Sequence, residues 1–88
     1  MAQATTLIHG RVVDAHGQPV AQARVGWADG PLALPDVMLL SDAQGRFTLA
    51  APAPGHYTLQ CHSDAHGQAR LAVQAAGQPL TLTLRLPR

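Results

Sequence analysis

The sequence contains no lysine, no glutamate and no asparagine. No lysine means no Schiff-base amine, and no glutamate means no glutamate general base. The absence of both lysine and asparagine rules out the intramolecular Lys–Asn isopeptide bond, and with it a pilin-type crosslinked surface domain. A single cysteine, Cys61, cannot form an intramolecular disulfide. Aromatic residues are limited to one Trp, one Tyr and one Phe, so the core must be built from Leu, Val and Ala around Trp27, Phe47 and Tyr57. Charged residues make up only 12% of the chain and the net charge is +1. The six basic residues, all arginine, are spread from Arg11 to Arg88. A nucleic-acid partner needs a dense basic face, so none is expected.

No apolar run approaches the roughly 20 residues of a membrane span. Residues Met1 to Thr6 lack a charged segment leading into an apolar one, so no signal peptide is read. As written, the chain is expected to be soluble and cytoplasmic. Its 88 residues suit a single domain, 1–88, which would bury roughly 60% of its unfolded surface.

What is present is alternation broken by turn residues. Thr6 to Val13 reads as a first strand, with Ile8, Gly10 and Val12 on one face and His9 and Arg11 on the other. A second strand runs from Ala21 to Trp27, and a third, apolar on both parities, from Val37 to Ser41. Arg46–Ala50 and His56–His62 follow, turning Phe47, Leu49, Tyr57, Leu59 and Cys61 to one side. Gln68–Ala75 comes next. Leu80–Leu86 then alternates strictly, with four leucines facing in. Seven short strands with turn signals roughly every 8 to 12 residues predict an all-β, antiparallel sandwich.

The pentapeptide Asp-Ala-His-Gly-Gln occurs at 14–18 and again at 64–68, with the related Asp-Ala-Gln-Gly-Arg at 42–46. The expectation is one hairpin turn used three times: Asp accepts backbone N–H groups and Gly takes a positive φ.

These motifs resemble the carboxypeptidase regulatory-like domain family. Its opening pattern is similar to Ile8-x-Gly10-x-Val12-x-Asp14-x-x-Gly17-x-Pro19-Val20 with Ala23 and Val25. Its later signatures resemble Asp42-x-x-Gly45-x-Phe47-x-Leu49 and Pro54-Gly55-x-Tyr57-x-Leu59. The resemblance covers roughly residues 6 to 74. It implies a seven-stranded, transthyretin-like (prealbumin-like) Greek-key sandwich. It also implies a non-enzymatic accessory or interaction module that docks a protein partner, in an assembly such as a secretion or cell-envelope apparatus.

No cofactor and no catalytic residue is assigned from the sequence. Candidate partner-binding residues are Trp27, Leu32 and Leu34, on or entering the irregular stretch Ala28 to Asp36. Capping the open end of the sandwich is the competing role for these leucines. An open strand edge offers a second route to association, through an edge-strand dimer. His62, Asp64 and His66 are metal-ligand types at short spacing, although the turn role expected of Asp64 already accounts for it. A carbohydrate- or surface-binding module is the alternative binding role, with Trp27 and Tyr57 as its available rings. A hydrolase of the hydroxyisourate type shares the fold, and His9 with Arg11 imitates its polar pair. The chain nevertheless ends Leu84-Arg-Leu-Pro-Arg88 and lacks that family's Tyr-Arg-Gly-Ser tail. Ser41 and Ser63 precede turn aspartates and read as turn formers. Cys61 has core parity and reads as a small buried hydrophobe.

Overall fold

The computed structural model describes residues 5–31 and 38–88. Seven strands follow in order: β1 (Thr6–Val13), β2 (Arg24–Asp29), β3 (Leu39–Leu40), β4 (Arg46–Ala51), β5 (Gly55–Ser63), β6 (Gly67–Ala75) and β7 (Leu80–Arg85). Among the described residues there is no helix. The strands form a β-sandwich of two sheets, one ordered β4-β1-β7 and the other β3-β2-β5-β6. Every pairing is antiparallel except β1 with β7, which run parallel. The first and last strands are joined only through the whole intervening chain, so no tight turn dictates their relative direction.

Alternation decides what goes inside. Thr6, Ile8, Gly10 and Val12 are buried along β1, while Leu7, His9 and Arg11 between them are exposed. Tyr57, Leu59 and Cys61 of β5 meet them from the second sheet, with Val25, Phe47, Leu84 and Leu86 closing the core. Full burial of a side chain such as Leu59 contributes about 1.5–3 kcal/mol. Leu71, Val73, Leu80 and Leu82 face inward as expected but remain only half-buried. They lie on β6 and β7, each at the edge of its sheet and packed near the other, so the core is thinnest along that seam.

The second strand begins three residues later than its alternation predicts. Gln22 sits at φ 60°, a left-handed conformation that no strand residue adopts, and its N–H donates to the Ser41 carbonyl at 3.0 Å. Ser41 is itself buried. Its hydroxyl donates to the Val20 carbonyl (2.6 Å) and accepts the Ala23 N–H (2.9 Å). Ser41 is therefore a cross-brace between two chain segments, where the sequence suggests only a turn former. Of the expected third strand Val37–Ser41, Val37 lies outside the described residues, and among Met38 to Ser41 only Leu39–Leu40 are extended, paired with Val25 and Arg24 at the sheet edge.

Candidate functional site

Trp27 projects inward from β2 and is half-buried, its ring centroid 4.8 Å from that of Tyr57 with the planes tilted by 44°. Tyr57 is 1% exposed. Its hydroxyl donates to the Ala53 carbonyl (2.6 Å) and accepts the Ala53 N–H (3.1 Å). The two rings thus serve the core, and Tyr57 is not an exposed platform for a sugar. Leu32 and Leu34 lie outside the described residues. Among the described residues that follow, Met38 is 38% exposed and Leu40 is 60% exposed. Leu39 between them packs against the core. The sequence shows this stretch as apolar on both parities, and the structure resolves that ambiguity: one side chain points inward and its two neighbours face water. Leu40 stands opposite Arg24, which stands opposite His62, so the three form one row across the outer face of the four-stranded sheet.

The three related turns are not equivalent. In the first, Asp14 N–H donates to Gln18 O (2.9 Å) and Gly17 takes φ 81°. Asp14 Oδ1 accepts the N–H groups of His16 and Gln18 at 2.8 and 3.0 Å. The second repeats this: Gly45 lies at φ 76°, and Asp42 Oδ1 accepts the N–H groups of Gln44 and Arg46 at 2.9 and 2.8 Å. Both carboxyls are held below the ordinary aspartate value, chiefly by the bond from the residue four positions on.

The third turn has the same five residues as the first, but its pairing is shifted by one. Ser63 pairs with Gly67, and Ser63 Oγ, not an aspartate, accepts the His66 N–H at 3.3 Å. Asp64 is thereby released from the turn role expected of it. Its Oδ1 lies 3.1 Å from His62 Nε2 and 3.0 Å from Arg24 NH2, and these partners lower its pKa, the hydrogen bond to His62 most of all. His66 Nδ1 lies 2.7 Å from the Arg88 carbonyl oxygen. Of the three suggested metal ligands, the fold joins His62 to Asp64 and engages His66 with the C-terminal residue. Among the described residues no group of three or more His, Cys or Asp side chains has the arrangement of a metal centre.

His9 and Arg11 are exposed on the outer face of the three-stranded sheet, with His9 Nδ1 3.4 Å from Thr48 Oγ1. Acid–base catalysis needs groups in a shielded site with tuned pKa values, and this pair lies on an open sheet. The arrangement offers charged and hydroxyl groups for binding.

A family model described as the carboxypeptidase regulatory-like domain matches residues 7–87. No curated protein matches the sequence. Among solved structures, the chain is similar to 3-chlorocatechol 1,2-dioxygenase from Rhodococcus opacus, with a TM-score of 0.66 and 16% identity over 99% of this chain. The chain spans 60% of the length of that structure. At such identity the likeness is one of β-sandwich fold.

Proposed function

The chain belongs to the carboxypeptidase regulatory-like domain family, and from that premise we propose that it is an accessory module that docks a protein partner, within a larger assembly of the secretion or cell-envelope kind. Domains of this family are generally non-catalytic interaction or regulatory modules. The observation that carries the reading here is Leu40, a large apolar side chain 60% exposed on a two-residue edge strand. With Met38 beside it and residues 32–37 immediately before, this edge is the proposed docking site, and Leu32 and Leu34 are proposed to extend it. Exposed apolar groups at an open sheet edge combine a desolvation gain with free backbone hydrogen-bonding groups.

The test is affinity capture from the native source, comparing the wild type with Leu40→Ser and with the Leu32→Ser/Leu34→Ser double variant. A stoichiometric partner retained by the wild type and lost with Leu40→Ser at unchanged melting temperature supports docking at this edge. Capture of the same partner by all three proteins moves the site elsewhere. A large fall in stability in the double variant would assign Leu32 and Leu34 to covering the core.

A further inference from the structure

The register of the three-stranded sheet places Arg11 of β1 directly opposite Arg46 of β4 and beside Thr83 of β7. Two residues earlier, His9 stands opposite Thr48 and beside Thr81. All six are exposed, and on β1 they alternate with the buried Ile8, Gly10 and Val12. They therefore form two parallel rows across one face, and Arg85 continues the face along β7, with NH1 3.1 Å from the Ala15 carbonyl. Like charges directly opposed on antiparallel strands are destabilising. Among the described residues little offsets them. Arg46 Nε is 3.7 Å from Asp42 Oδ2, and its NH2 is 3.4 Å from Gln44 Oε1. Arg11 has no ion pair among the described residues. The acids at the ends of the face, Asp14 and Asp42, each commit Oδ1 to two backbone N–H groups of their own turns.

We propose that this face binds an extended acidic segment of a partner protein, with one carboxylate between Arg11 and Arg46 and a second over the His9, Thr48 and Thr81 row. The spacing fits. Rows two residues apart on a strand are separated by about 6.6–6.8 Å, which is also the separation of side chains i and i+2 in an extended peptide. Guanidinium forks suit carboxylates, and the threonine hydroxyls supply further donors. The face is a shallow, open depression of about 330 Å³ that these six side chains line, so one small anion would stay largely hydrated in it, whereas linked carboxylates gain from being joined. No exposed aromatic interleaves the arginines to stack bases, which disfavours a single-stranded nucleic acid. The inference rests on the docking reading above and adds a second surface, on the opposite sheet from Leu40.

The experiment measures fluorescence anisotropy of a labelled peptide of alternating Glu and Thr at low ionic strength, with a Gln-for-Glu peptide as control. The expected result is binding of the Glu peptide alone, weakening as salt rises. Arg11→Gln and Arg46→Gln should each reduce affinity roughly five- to tenfold, and Arg88→Gln should leave it unchanged. Because Arg11→Gln relieves the opposed charges, its melting temperature should equal or exceed that of the wild type. A lower one would mean that Arg11 serves an intramolecular contact, which overturns the proposal. Equal binding by the Arg11→Gln and wild-type proteins overturns it too, as does displacement of the peptide by equimolar inorganic phosphate. Tighter Arg11-dependent binding of an oligonucleotide would also sink it. If the native partner is captured equally by wild type and the Arg11→Gln/Arg46→Gln variant, this inference falls and the docking reading stands. If the wild type captures nothing, the docking reading falls, while the peptide titration still reports on this face.

Discussion

The phenyl ring of Phe47 occupies the space that a Cβ on Gly10 would need, across the directly opposed pair that joins β4 to β1. A glycine in mid-strand costs conformational entropy and leaves a gap in the pleat. Here the gap is filled by one of the few large side chains in an aromatic-poor core. Gly10→Ala should therefore destabilise by overpacking, by about 1–3 kcal/mol. The melting temperature should fall by roughly 4–8 °C for each kcal/mol. The Gly10→Ala/Phe47→Leu double variant should lose less than the sum of its singles. Strict additivity in a denaturation cycle would mean that the ring and the added methyl do not collide.

Ser41 makes a second prediction. Its buried hydroxyl both accepts the Ala23 N–H and donates to the Val20 carbonyl, so Ser41→Ala strands two backbone groups in the interior. The expected loss is about 1–3 kcal/mol in urea unfolding. Ser63 holds the His66 N–H at 3.3 Å in a partly exposed turn, and Ser63→Ala should stay within about 0.5 kcal/mol of the wild type. Equal effects at the two serines would deny Ser41 its bracing role.

Local alternation made most of this fold legible. The strict leucine period of β7, and the parity that sends Cys61 inward and His62 outward, follow from a two-residue repeat that each strand carries by itself. What was not legible depends on register between distant segments. Nothing near Ser41 reveals that residues 20 to 23 will lie against it, and the positive φ of Gln22 has no glycine to mark it. Identical pentapeptides predict identical turns, yet the pairing of Ser63 with Gly67 shifts the third and frees Asp64 for Arg24, forty residues away. On the candidate surfaces, parity showed that Arg11 and Arg46 face outward. That they stand opposite each other is a property of the β1–β4 pairing alone.

The acid side of the stability profile should be set by the aspartates of depressed pKa, Asp14 and Asp42 in their turns and Asp64 beside His62 and Arg24. Asp14 and Asp42 are ionised more readily in the folded state than at the ordinary value of 3.8, because their carboxylates accept backbone N–H bonds. A group whose native pKa is depressed contributes its full stabilisation above its unfolded value and loses it as pH falls through the native one. Stability should hold as pH is lowered to about 4 and then decline. The Asp14→Asn/Asp42→Asn variant, which retains an acceptor oxygen but does not titrate, should show a shallower decline. An unchanged acid limb in that variant would assign acid sensitivity to other groups.

Cys61 governs the alkaline side. Buried between strands and 1% exposed, its thiol is pushed up to about 11 from an ordinary 9.0, because the interior penalises the thiolate. A group whose native pKa is raised gives full stabilisation below the unfolded value and loses it as pH climbs through the native one. The unfolding midpoint should therefore be insensitive to this thiol below about pH 9 and should decrease between there and pH 11. In Cys61→Ala that portion of the decrease should vanish. The same burial predicts reactivity. At pH 8 the native thiolate amounts to about one part in a thousand, so a disulfide exchange reagent should label Cys61 only as fast as the sandwich opens. Labelling traced against urea should rise along the circular-dichroism transition. Rapid labelling of the native protein, at the rate of a free thiol, would place Cys61 within reach of solvent and remove both predictions together.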